Sequence, residues 1–170
     1  MAALDRQQTK LAFRGGVVAG IVGGLAVSLF MLLMSLTSGR DIWQGMKVAG
    51  APFMGEQAMD PGFDAPTVIV GLLSHFAVSI VWGVLFALVF FGLSKVGTMF
   101  AGVLWGFIVW ITMFYVVLPL VRMGDITRGT PISLAILEHV LFGIVVAAAF
   151  LPFQRPQPGG RWPESVRPGA

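Results

Sequence analysis

The chain of 170 residues contains no cysteine. A disulfide framework, a thiolate metal centre, a cysteine nucleophile, palmitoylation and haem attachment through Cys-x-x-Cys-His are therefore excluded together. Charge is also scarce. Asp, Glu, Lys and Arg make up 11% of the residues, against about 25% in a soluble domain. A chain this poor in charge cannot cover the surface of a single soluble domain. What is abundant instead is apolar: 56% of the residues are hydrophobic and the mean hydropathy is +0.87. The remaining class is a membrane-embedded chain. The net charge of +3 comes from 11 basic and 8 acidic residues spread thinly, which does not make a nucleic-acid surface.

A spanning helix needs roughly 20 mostly apolar residues. Four stretches qualify: Gly15 to Leu36, Pro66 to Leu93, Val96 to Val121, and Pro131 to Phe153. Every charged residue except Glu138 lies outside them. The expected fold is all-α, a four-helix transmembrane bundle over residues 1–153. Pro66 and Pro131 each open a helix, where a missing N–H is harmless. The first span is too long for the apolar core of a signal peptide, although Arg6, Lys10 and Arg14 precede it. An even number of spans puts both termini on one side. That side holds Arg6, Lys10, Arg14, Lys95, Arg155, Arg161 and Arg167, while the other holds Arg40, Lys47, Arg122 and Arg128. The positive-inside rule then places both termini in the cytoplasm.

The two halves resemble each other. Ala19-Gly20 followed by Gly24 matches Ala101-Gly102 followed by Gly106, and His75 followed by Ile80-Val81 matches His139 followed by Ile144-Val145. The unit is a helical hairpin used twice in the same orientation, which implies a pseudo-twofold axis along the membrane normal. Small residues recur at four-residue spacing: Gly16, Gly20, Gly24 and Ser28, then Gly71, Ser79 and Gly83, then Gly102 and Gly106, then Ala135, Gly143 and Ala147. Each set shares one helix face. In lipid, helices associate by close approach along such ridges. Gly20, Gly24, Ser79, Gly83, Gly102, Gly106 and Gly143 are accordingly expected to pack within the bundle, or to dock a partner subunit.

Only His75, Glu138 and His139 are ionisable within the spans. Both histidines fall roughly 12–14 Å below the same face, at equal depth on two helices of one direction. They are expected to meet across the bundle interior. Four readings follow. The rings hydrogen-bond across an interface, to Ser79, Ser74, Thr112 or each other. Alternatively they are the two axial ligands of a haem b. His75, Glu138 and His139 could together handle protons. A zinc or copper site would need both histidines and Glu138, but adjacent residues point about 100° apart, so no metal site is assigned. No nucleophilic triad, phosphate-binding loop or dinucleotide fingerprint is present, so no catalytic residue is expected and no soluble substrate is identified.

The loop from Thr37 to Ala65 mixes Arg40, Asp41, Lys47, Glu56, Asp60 and Asp64 with Met46, Phe53, Met54, Met59 and Phe63. It is expected to lie on the membrane surface or fold over the bundle mouth. Gly39 to Trp43 reads as the start of an interfacial helix, anchored by Trp43. Arg122 and Arg128 of the second loop could pair with the acidic residues of the first. Residues 154–170 form a Pro-, Gly- and Arg-rich cytoplasmic tail, expected to be disordered unless a neighbour holds it.

The segment Gly71 to Gly83 with His75 and Ser79 resembles the YagU-like family of small bacterial inner-membrane proteins. So do Ala101-Gly102 with Pro119, His139 to Gly143, and Gly39-Arg-Asp-x-Trp43. The likeness runs over roughly residues 15 to 150. It implies four spans in a bacterial inner membrane, and no settled activity, cofactor or catalytic residue. The function expected from all of this is non-enzymatic: an accessory or structural subunit packed against other helices in a membrane complex, with no cofactor. A haem b electron carrier using His75 and His139, and a small transporter or proton pathway, are the alternatives.

Overall fold

A computed structural model describes residues 5–121 and 131–155. Among them there are only helices and turns. Four helices are long and apolar enough to cross a membrane. The first, α1, covers Arg6–Ser38. After it come two short helices, α2 (Gln44–Val48) and α3 (Ala51–Met54), and a 3₁₀ turn at Gly55–Met59. The second long helix, α4, is Ala65–Phe90, and the third, α5, is Lys95–Thr112. A π turn at Met113–Val117 and a short α6 at Leu118–Leu120 prolong α5. The last, α7, is Ile132–Phe150, ending in a 3₁₀ turn at Leu151–Phe153.

Local chemistry explains where these helices begin and bend. The α1 helix starts well before the apolar run. Asp5 accepts from the backbone N–H of Gln7 and Gln8, and Gln8 returns a bond to the Asp5 N–H. This capping box makes the basic segment helical, so the 33-residue helix is roughly 50 Å long and exceeds the ~30 Å hydrocarbon core. Gly39, at φ 62°, ends it in the left-handed conformation that favours glycine. Pro119 explains the π turn. It has no N–H for the carbonyl one turn back, and its ring would strike that carbonyl. The helix widens just before it, and the Leu118 N–H bonds Met113 O.

The two hairpins are sealed backbone against backbone. In α1–α4, a Cβ built on Gly20 would lie 2.5 Å from the Ser79 carbonyl oxygen, and one on Gly83 would lie 2.5 Å from that of Gly16. In α5–α7, a Cβ on Gly106 would lie 2.5 Å from the His139 carbonyl oxygen, and one on Gly102 2.6 Å from that of Gly143. Equivalent positions meet equivalent positions, so the sequence repeat is a repeat of packing. Gly16, Gly20, Gly24, Gly83, Gly102, Gly106 and Gly143 all face their own hairpin partner.

The hairpins join in two unlike ways. Between α1 and α7 the fit is close: a Cβ on Gly23 would lie 2.7 Å from Val146. The repeat pairs Gly23 with Trp105 and Val146 with Trp82. Between α4 and α5, accordingly, two indoles stand where α1 and α7 have a glycine and a valine. Trp82 and Trp105 meet edge to face at 5.6 Å, and Trp105 also meets Phe86 at 6.0 Å and Phe90 at 5.7 Å. Phe86 and Phe150, again a repeat pair, touch at 6.0 Å on the bundle axis, and both are fully buried.

The end carrying the α4–α5 turn is fastened by Gln154. Its amide NH₂ donates to Phe90 O and Thr98 Oγ1, both at 2.9 Å, and its oxygen accepts from Gly92 N at 2.7 Å. Gly92 turns the chain at φ 91°. Gln154 is buried, so it belongs to the bundle and not to the expected tail. Residues 156–170 and 122–130 lie outside the described residues. With them lie the rest of the tail and the expected pairing of Arg122 and Arg128 with the first loop. Replacing Gln154 by Leu strands the Gly92 N–H and leaves the Phe90 carbonyl only the long bond from the Leu93 N–H. At about 1–3 kcal/mol for an unpaired group, the variant is expected to lose roughly that much, read as a lower midpoint of denaturation in detergent.

Candidate functional site

The polar groups of the bundle interior start from the histidine level. His75 sits one turn below Gly71 on α4 and reaches across the hairpin: its Nε2 lies 3.0 Å from Gly24 O. A carbonyl only accepts, so Nε2 carries the proton and Nδ1 keeps the lone pair. Gly24 has no side chain to screen its carbonyl from α4. The other ring contact of His75 is the edge of Phe76 at 5.5 Å. On α7 the bonding nitrogen is the opposite one. His139 Nδ1 donates to Ala135 O of its own helix at 2.7 Å, and Phe114 packs edge to face at 5.7 Å.

Both histidines hold equivalent register, since Gly24 and Gly106 are repeat partners and each faces its histidine's helix. The rings do not bond each other, and no partner of one is a partner of the other. The expected meeting across the interior is corrected on this point: His75 turns to Gly24 O of its own hairpin, and His139 to Ala135 O of its own helix. Two of the three expected hydroxyl partners are occupied elsewhere. Ser74 donates to Val70 O and Thr112 to Ile108 O, both at 2.8 Å. Glu138 comes closer to its neighbour than the helical offset suggests, with Oε1 3.7 Å from His139 Nδ1. The structure thus brings Glu138 and His139 together and leaves His75 apart.

This geometry does not fit haem b. Its two axial ligands must face one iron, but His75 holds Gly24 through Nε2 in the α1–α4 seam, and His139 is fixed in the other hairpin. The cavity that His75 lines has a volume of about 10 Å³, room for a single water and not for a macrocycle.

That cavity is roofed by the first loop, which folds over the mouth of α1–α4 as the sequence suggests. The α2 helix lies directly on α4: Gly50 and Gly71 approach backbone to backbone, and the Met46 carbonyl occupies the place a Gly71 side chain would take. Two residues hold the roof, and the sequence reading did not single them out for this. Lys47, only 1% exposed, donates its ammonium to the carbonyls of Asp60 and Gly62. Asp41 accepts from Trp43 N at 3.0 Å and Gly62 N at 2.8 Å. Trp43 packs on Phe63 at 4.7 Å. The one signal for Lys47 was a lone cation in the apolar run from Ile42 to Met54.

The Trp43 and Gly62 N–H groups hold the Asp41 carboxyl below its ordinary value of 3.8. The Thr67 hydroxyl and N–H do the same for Asp64, the cap of α4. A carboxyl lowered by folding contributes its stability above the unfolded value, and that contribution is lost as pH falls through the folded value. The roof is therefore expected to stay docked from neutral pH down to about pH 4 and to open only below it. Asp41→Asn should loosen it at neutral pH and flatten the acid transition, measured by protease nicking between residues 50 and 64.

No curated protein and no solved structure gives a match to the chain. A family model does, over residues 12–158, which takes in all four long helices, the roof and both histidines. The chain belongs to that family, DUF6789, a family of unknown function.

Proposed function

We propose that this is a non-enzymatic membrane protein, an accessory or structural subunit that packs against other membrane helices. The proposed setting is the inner membrane of a bacterium with both termini cytoplasmic, following the charge asymmetry of the loops and the resemblance to YagU-like proteins. The observation that carries the reading is the sealing of both hairpins. Gly16, Gly20 and Gly83 on one side, and Gly102, Gly106 and Gly143 on the other, place backbone on backbone. That favours a rigid body over a passage. With the ridges used internally, a partner would meet broad apolar faces instead, such as Leu25, Leu29 and Leu33 on α1 or Phe100, Leu104 and Ile111 on α5. Native extraction in a mild detergent should give a particle larger than the 18.2 kDa chain with other membrane proteins in it. A bare monomer overturns the reading.

A proton pathway is the second reading, favoured by the closeness of Glu138 and His139 beside the π turn. Proteoliposomes decide between the two. Proton flux that falls in Glu138→Gln supports the pathway, whereas membranes that stay tight, with or without that change, support the packing role.

A further inference from the structure

The cavity under the roof is lined by an unusual set of groups for a membrane interior. Two are thioethers, Met31 from α1 and Met46 from α2. The third is the imidazole of His75 from α4. Leu72 and Ile42 are apolar, and Ser28 brings the single side-chain oxygen. Three elements far apart in sequence thus bring two methionines and one histidine to the lining of one small space under the roof. The imidazole holds Gly24 O through its Nε2–H at 3.0 Å, so in the neutral ring the lone pair is left on Nδ1. A ring that donates one N–H to a backbone carbonyl and presents the other nitrogen is the usual state of a metal-bound histidine. The Met31 thioether is free to lie against the roof because residue 45 is glycine: a Cβ there would stand 3.0 Å from Met31 Cε and 3.7 Å from its sulfur.

We propose that this cavity binds one soft monovalent metal ion, Cu(I), through Met31 Sδ, Met46 Sδ and His75 Nδ1. Donor chemistry selects the ion. Thioethers favour Cu(I), whereas calcium and magnesium require oxygen ligands and no carboxylate lines the space. Size agrees, because about 10 Å³ holds one small ion and little else. Charge agrees as well, since a monovalent ion is the least expensive to desolvate in an apolar setting. The site stands at the roofed end of the bundle, so docking of α2 completes it: without the roof, Met46 is absent and two donors remain. This assignment is independent of whether the protein has a partner.

The test uses the purified full-length protein in detergent, titrated calorimetrically with Ag(I), a redox-inert ion of the same softness, and with Cu(I) against a chromogenic chelator. One equivalent is expected to bind. Met31→Leu and Met46→Leu should each weaken binding by about tenfold or more, the double variant should abolish it, and Met34→Leu should leave it unchanged. Leu for Met conserves volume, and Trp43 fluorescence reports that the roof is still docked. Absence of uptake at micromolar ion overturns the proposal, as does equal binding by the Met31→Leu, Met46→Leu double variant. If the double variant loses its roof, X-ray absorption of the Cu(I)-loaded natural protein replaces it: a shell of two sulfurs and one nitrogen is required, and a shell without sulfur overturns the site.

Discussion

Everything in this bundle depends on four carbonyl-to-glycine approaches. Lipid tails offer no hydrophobic penalty to be relieved when two apolar helices meet, so association rests on dispersion and on how near the axes can come. Removing the side chain at Gly20, Gly83, Gly102 and Gly106 brings each backbone against its neighbour's carbonyl oxygens. The same nearness decides the chemistry. A histidine on such a seam finds a bare carbonyl within reach, as His75 finds Gly24 O. The polar group is then satisfied inside the membrane without water.

The duplication is kept in its seams and broken in its joints. Gly20 and Gly24 of one hairpin recur as Gly102 and Gly106 of the other, and the Phe86–Phe150 contact joins a repeat pair. The side-to-side contacts of the hairpins differ. Gly23 and Val146 let α1 and α7 close, while Trp105 and Trp82 hold α4 and α5 apart by the width of their rings. A symmetric four-helix ring would need both joints alike. Two residue changes between the copies are enough to make one joint narrow and the other aromatic, so the repeat yields a bundle with two different sides. The roof adds to the difference, because the long first loop closes over one hairpin mouth.

Much of this was legible in the chain. Span number and class follow from the uncharged runs, and the small-residue ridges lie where four-residue spacing puts them. The shared histidines marked the repeat correctly. What the sequence hid is of one kind: choices among acceptors that only three-dimensional nearness can make. Depth along a helix placed His75 and His139 at one height, but it does not say toward which neighbour a ring turns, and backbone carbonyls carry no sequence signal. Gln154 looked like the first residue of a proline-rich tail because its three partners, Phe90, Gly92 and Thr98, lie more than fifty residues away. Lys47 was one loop charge among several, and its acceptors are again backbone carbonyls, those of Asp60 and Gly62. The early start of α1 was readable, since Asp5 and Gln8 have capping-box spacing, but the apolar run drew the boundary instead.

The Gln154 fastening also orders events in time. The turn between α4 and α5 is synthesised well before the last helix, yet the Gly92 N–H finds its partner only in a residue beyond that helix. Both hairpins can enter the bilayer and zip along their glycines while that turn is still open to water. Assembly is then finished from beyond the last helix, where the Gln154 side chain works as a latch on a turn made 62 residues earlier.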